Sequence, residues 1–241
     1  MRRLVTIPIS HYCEKARWAL DRAGLDYVEE RHVQGIHRLA ARRAGGGNTV
    51  PVLVADEGVF AQSEWILRYA DAQLPPELRL FTGEDEVEEL CRWLDAGLGP
   101  DARRLMYAHM LPRPALMLPY NNQGVPRWED LAIRALYPVA DRWARRELRV
   151  GAPDAAPVLA AFDAIAERLA DGRRHLCGDR FTAADLTFAC LAAAVVLPRE
   201  YGVALPQELP ELRPFREHAA GAYALKLFRE LRRSPAVAAA G

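Results

Sequence analysis

The sequence predicts an α/β N-terminal domain followed by an all-α C-terminal domain. Three observations carry this. Short β-rich runs alternate with helical periods as far as Gln73. A stretch containing Pro75, Pro76 and Gly83 then interrupts the pattern. Every strong period after it is helical. The expected organisation is residues 1–73, a linker over 74–83, and a helical domain over 84–241.

Leu4 to Ile9 reads as a strand and His11 to Ala23 as a helix stopped by Gly24. Tyr27 to Val33 alternates as a second strand, and Gly35 to Arg43 is a basic helix. Gly45, Gly46, Gly47 and Asn48 break the chain before a third strand, Val50 to Val54. Asp56-Glu57-Gly58 is a turn into a short strand at Val59-Phe60, and Ser63 caps a helix that runs to Gln73. A β-α-β unit, a hairpin and a last helix fit one small mixed sheet with helices on its faces. Beyond the linker, Glu84 to His109 is amphipathic, with breaks expected near Gly97, Gly99 and Pro100. The prolines and Gly124 of Leu111 to Val125 argue against a regular helix there. Pro126 to Arg149 reads as one helix kinked at Pro138, and Pro157 to Ala170 as another. Thr182 to Leu197 is apolar all round, hence central. Leu212 to Arg233 closes the fold, with Ser234 to Gly241 as a frayed tail.

Lys plus Arg and Asp plus Glu balance at 32 each. No basic excess marks a nucleic-acid partner. Cys13, Cys91, Cys177 and Cys190 are too widely spaced for a zinc pair or a disulfide framework, so free thiols in a reducing compartment are expected, and no metal. The start of the chain lacks the apolar run of a signal peptide, and Ala189 to Leu197 is too short to span a bilayer. The expectation is a cytoplasmic protein with no membrane partner.

Ile9 to Arg17 joins the first strand to the first helix and places Ser10 at the helix start, where unpaired N–H groups and the positive dipole end favour an anion. A thiolate is such an anion. A thiol of pKa about 8.5 is only about 3% ionised at pH 7. Lowering the value by about two units needs roughly 2.7 kcal/mol in favour of the charged form. A hydroxyl hydrogen bond plus a helix N-terminus is of that order. Ser10 is equally suited to being a plain N-cap. Val50-Pro51 opens a strand at a residue that cannot donate to the ladder, leaving an edge able to pair with a peptide-like ligand. Gln62-Ser63 opens a helix whose N–H groups suit a carboxylate.

These sites, about 40 and then 11 residues apart, resemble the N-terminal domain of the glutathione transferase family. The S-x-Y-x-x-K-x-R pattern from Ser10 to Arg17, which includes Tyr12, is similar to the first-helix motif of its serine-type members. The resemblance implies a thioredoxin-like domain followed by an all-helical one. It implies that Ser10 steadies the glutathione thiolate and that Val50, before a cis-Pro51, bonds the cysteinyl part. Gln62 and Ser63 would grip the γ-glutamyl carboxylate, and His37, 14 residues before Pro51, would reach the glycyl end. Leu176 to Asp185 is similar to the family's Gly-x-x-Phe-Ser/Thr-x-Ala-Asp signature, with Thr182 and Asp185 as a capping box.

The implied activity is conjugation of glutathione or a related thiol, as co-substrate, to a small hydrophobic electrophile. Tyr107, His109, Met110 and the Leu111 to Tyr120 segment are expected to line the acceptor site, with Met106, Met110 and Met117 as an adaptable wall. A two-fold homodimer is also implied. Three departures leave rival readings open. The Gly45-Gly47 run replaces the family's usual Asn-Pro sequence. His11 stands where proline usually follows the reactive residue, and reads either as a surface residue or as a polar group at the pocket mouth. Cys13 keeps the second position of a Cys-x-x-Cys pair whose first is Ser10, which allows a Cys13-dependent thiol–disulfide or deglutathionylation enzyme. A non-catalytic binding module of the same fold is the third reading.

Overall fold

In the computed structural model, which describes residues 1–207 and 209–232, the chain begins with β1 (Arg2–Thr6). There follow α1 (His11–Arg22), β2 (Tyr27–Arg31), α2 (His37–Arg43), β3 (Val52–Ala55), β4 (Gly58–Ala61) and α3 (Ser63–Ala72). The sheet order is β2-β1-β3-β4. β1 runs parallel to β2 and antiparallel to β3, which pairs antiparallel with β4. This is the mixed sheet that the alternation of periods predicts. α2 lies over one face, where Ala40, Ala41 and Ala44 bury Val5 and Val52. α1 and α3 cover the other through Ala16, Leu20, Ile66 and Leu67.

The helical part comprises α4 (Asp85–Ala96), α5 (Leu98–Met110), α6 (Pro114–Asn121), α7 (Arg127–Ala135), α8 (Tyr137–Leu148), α9 (Ala156–Leu169), α10 (Ala183–Val196), α11 (Arg213–Glu217) and α12 (Ala219–Leu231). α10 is buried along its whole length, as a helix apolar on all sides must be. It packs on α4, α5 and α12, and also on α1, so one apolar core runs from β1 to α12. Trp18 on α1 meets Phe228 on α12 at 4.8 Å between ring centroids. No helix of the described residues is long and apolar enough to cross a membrane.

Several elements differ from the sequence reading. Residues 114–121 form α6 despite their prolines: Pro114 opens the helix where no N–H is required, while Pro119 lies inside it and removes one backbone donor. The single helix expected from Pro126 to Arg149 is α7 and α8. Pro138 stands in the first turn of α8 and starts a helix where a kink was expected. The break expected near Gly97 separates α4 from α5. His218 divides the last helix and caps α12, its Nδ1 accepting the Ala220 N–H at 3.2 Å. The expected end at Arg233 and the tail 234–241 lie outside the described residues.

Asp185 is fully buried, and its carboxylate takes four hydrogen bonds. They come from the Leu176 N–H (2.8 Å), the Thr182 N–H (2.8 Å), the Thr182 hydroxyl (3.0 Å) and the Tyr223 hydroxyl (2.6 Å). It ties the entry of α10 to the preceding loop and to α12. Asp185→Ala strands all four donors, at about 1–3 kcal/mol for each left unsatisfied. We expect urea unfolding to show a loss of about 3 kcal/mol or more; a loss under about 1 kcal/mol contradicts this role.

Candidate functional site

A cleft of about 420 Å³ opens between the sheet domain and the helices. That is within the usual range of small-molecule sites, about 300–1,000 Å³. Ser10, His11, Tyr12, His37, Val50, Pro51, Gln62 and Ser63 all line it from the first domain. Asp95, Arg103, Met106 and Tyr107 line it from α4 and α5, and Trp143, Glu147 and Leu148 from α8.

Ser10 is the N-cap of α1, with an extended backbone (φ −69°, ψ 119°). Its hydroxyl oxygen accepts the Cys13 N–H at 3.4 Å, a long cap bond. No hydrogen bond donated by this hydroxyl forms within the described residues, so cap and donor roles are compatible. The N–H groups of His11 and Tyr12, in the first turn, have no intrahelical acceptor. The loop carrying Ser10 is fixed from behind. The Arg17 guanidinium donates to the carbonyls of Ile7 (3.4 Å) and Pro8 (2.8 Å), and the Tyr201 hydroxyl donates to that of Ile9 (3.1 Å).

The Val50–Pro51 peptide bond is cis. Strand pairing of β3 begins only at Val52, so the Val50 amide and carbonyl stand outside the ladder. Gly46 packs behind this turn; a Cβ there would lie 2.2 Å from a Val52 methyl. Gln62, not Ser63, occupies the N-cap position of α3, and Ser63 is the first helical residue. Gln62 has φ 74°, a strained value for a residue with a side chain. Its N–H is tied to the Pro51 carbonyl at 3.1 Å, which joins the proline turn to the helix start.

The geometry sets the chain among known proteins. Residues 4–77 match the family model for the glutathione S-transferase N-terminal domain, and residues 151–218 the model for the C-terminal domain. Together they span more than half of the chain. It belongs to the glutathione transferase family. Comparison with curated protein sequences finds no match. Among solved structures, the fold is similar to a glutathione S-transferase from Rhodospirillum rubrum F11. That pair shares 23% identity with a TM-score of 0.59, over 98% of this chain and 97% of that one. Glutathione S-transferase I from maize, in complex with an atrazine glutathione conjugate, is 15% identical with a TM-score of 0.63, over 95% and 92% of the two chains. A Ceriporiopsis subvermispora glutathione S-transferase in complex with glutathione is 18% identical with a TM-score of 0.59, over 98% and 99%.

The wall that the helices give the cleft is built differently from the sequence reading. Met110 is 1% exposed, faces the core and does not line the cleft. His109 and the 111–120 segment do not line it either; Met117 and Leu118 of α6 are buried in packing. The wall comes instead from Met106 and from Trp143 and Leu148 on α8. Arg38 bridges the domains there, paired with Glu147 and set 5.0 Å from the Trp143 ring centre. No local motif in the sequence marks α8, since its role depends on how α2 and α8 meet. Tyr107 lines the cleft with its hydroxyl accepting from Gln34 Nε2 at 2.8 Å. The Tyr12 hydroxyl is spent on the Asp95 carbonyl (2.9 Å), where Gly99 leaves room for it.

Cys13 is fully buried and absent from the cleft wall. Burial pushes its thiol up to about 11, with Arg17 and the Ser10 hydrogen bond acting the other way, so it stays a thiol at neutral pH. His11 corrects the expectation of a surface residue: it is 1% exposed, against the Tyr12 ring. Burial, then the charge of Arg103, hold its imidazole down at about 3. Burial and Arg38 hold His37 down at about 4, with its Nδ1 accepting the Gly35 N–H at 3.1 Å.

Both histidines are therefore neutral in the fold at pH 5–7, while in the unfolded chain they gain a proton below about 6.5. The unfolded state binds more protons there, so stability present above pH 6.5 is lost as pH falls toward 4. The limiting slope is about 1.4 kcal/mol per pH unit for each histidine. We expect His11→Gln and His37→Gln to flatten the curve of unfolding free energy against pH over this window. An unchanged slope in both variants contradicts the assignment.

Proposed function

We propose that this chain joins the thiol of glutathione to a small hydrophobic electrophile, with Ser10 steadying the thiolate. The observation that carries the reading is convergence. Ser10, Val50-Pro51 and Gln62-Ser63, distant in sequence, line one cleft that also has an apolar wall. The glutathione held by the Ceriporiopsis relative and the conjugate held by the maize enzyme support the same ligand class here.

In this reading Val50 pairs its backbone with the cysteinyl part of glutathione. The α3 start at Gln62-Ser63 takes the γ-glutamyl carboxylate, and His37, neutral, meets the glycyl end. The thiol then lies at the start of α1. Loss of its proton leaves a sulfur anion that accepts a hydrogen bond from the Ser10 hydroxyl. The His11 and Tyr12 N–H groups add the positive end of the helix. The sulfur attacks the electrophilic carbon, a C–S bond forms, and the leaving group departs with its electron pair. Ile9, Met106, Trp143 and Leu148 hold the acceptor in place and exclude water. A two-fold dimer goes with this reading. Trp65 on α3 and Trp93 on α4 are 55% and 45% exposed, on helices joined by the Arg68–Glu88 ion pair, and supply an apolar contact face.

Glutathione consumption with a model electrophile tests the reading. A hydrogen bond to a charged group contributes about 1.5–3 kcal/mol, so Ser10→Ala should lower kcat/KM by about 10- to 150-fold with the fold retained. Cys13→Ser should stay near wild type. Full activity in Ser10→Ala, or abolition in Cys13→Ser, contradicts the role given to the hydroxyl.

A further inference from the structure

The acceptor side of the cleft carries a charge that this mechanism does not use. Arg103 lies on α5, one turn before Tyr107, and lines the cleft. Its Nε is buried without a hydrogen-bond partner, and no ion pair neutralises it among the described residues. Neither nearby acid on the same wall pairs with it. Lys15 holds one oxygen of Asp95 at 2.7 Å, the other being buried without a partner, and Arg104 holds Asp101. Arg38, the other arginine of the cleft, is matched by Glu147. Beside Arg103 sits His11, whose buried Nε2 also lacks a partner. The two are near enough for the guanidinium charge to act on the imidazole.

The buried Nε is out of a ligand's reach, but the terminal nitrogens of the guanidinium make no hydrogen bond or ion pair among the described residues and are left for a ligand in the cleft to complete. The group that best completes a planar guanidinium is a carboxylate or another oxyanion, through paired N–H bonds. Glutathione's two carboxylates are assigned above to Gln62-Ser63 and to the His37 side. Its sulfur anion is assigned to the Ser10 hydroxyl and the start of α1, so an anion for Arg103 arrives with the second substrate.

We propose that Arg103, with His11 beside it, is a subsite for a carboxylate carried by the electrophile. The proposal rests on the transferase reading above and narrows its acceptor class from small and hydrophobic to hydrophobic with one acidic end. The apolar body lies against Met106, Trp143 and Leu148, and the carboxylate faces α5.

A matched pair of electrophiles isolates the charge: 4-(bromomethyl)benzoate and its methyl ester. In each, the glutathione sulfur forms a bond to the benzylic carbon and bromide leaves with the electron pair of the broken C–Br bond. Wild type should favour the acid by about tenfold in kcat/KM, through KM. Arg103→Gln should bring the ratio near one, Arg103→Lys should recover part of it, and the KM for glutathione should not change. Equal use of acid and ester by wild type overturns the proposal. So does an Arg103→Gln effect that falls on the glutathione KM or equally on both acceptors. Calorimetry with the two purified glutathione conjugates reads the subsite without turnover. Tighter binding of the carboxylate conjugate by wild type, lost in Arg103→Gln, supports the subsite even if no thiol is consumed, in which case the transferase reading alone fails. Equal binding of both conjugates overturns the subsite even if both electrophiles react.

Discussion

The position of Ser10 depends on a buried cation, Arg17. Its guanidinium, 2% exposed, holds the carbonyls of the loop that delivers Ser10 to the cleft. Burial works against that charge, but the carboxylates of Glu29 (2.8 Å) and Glu14 (2.9 Å) more than offset it, so Arg17 stays cationic. Glu14 is shared in turn with Arg232 at 2.8 Å and with the Gly202 N–H at 3.1 Å. Breaking a buried pair of this kind is far more costly than never having built it. The network therefore fixes one geometry of the β1–α1 turn and ties it to the loop after α10 and to the end of α12. The proposed meeting of the Ser10 hydroxyl with a sulfur anion needs that fixity, because misplacement by about 1 Å loses most of the benefit.

The same logic joins the cleft walls. Lys15, fully buried, reaches from α1 to Asp95 at the end of α4. Glu129, the buried residue of α7, accepts the Val33 N–H at 3.0 Å and contacts the His32 ring at 2.6 Å. That inward acid accompanies an unusual outward face: Trp128 and Leu131 of α7 are 61% and 58% exposed. Ionic contacts between domains thus set the width of the cleft, and apolar packing of α10 supplies the mass of the core.

The fold was largely legible because its signals are local. Alternation in β1, the stop at Gly24, the proline before β3 and the apolar run of α10 each declare an element without reference to the rest of the chain. The first-domain wall of the cleft was legible for the same reason, since Ser10, Pro51 and Ser63 each begin or precede a regular element. The helical wall was not. Pro114 and Pro138 look like breakers in sequence, yet both open helices, and the difference lies in which N–H groups the turn leaves free. Met110 looks like a lining residue, but α5 turns it to the core and presents Arg103, Met106 and Tyr107. Lys15 and Arg17 enter the sequence reading only as positions of the first-helix motif, and only the packed structure shows them, with Glu14, buried and paired.

The central claim is that the start of α1, with the Ser10 hydroxyl, holds a bound sulfur as its anion. Titration of the ultraviolet thiolate absorbance of glutathione bound to the protein tests it most directly. The account predicts an apparent pKa near 6.5, about two units below the free thiol. A bound thiol that still titrates at about 8.5 contradicts it.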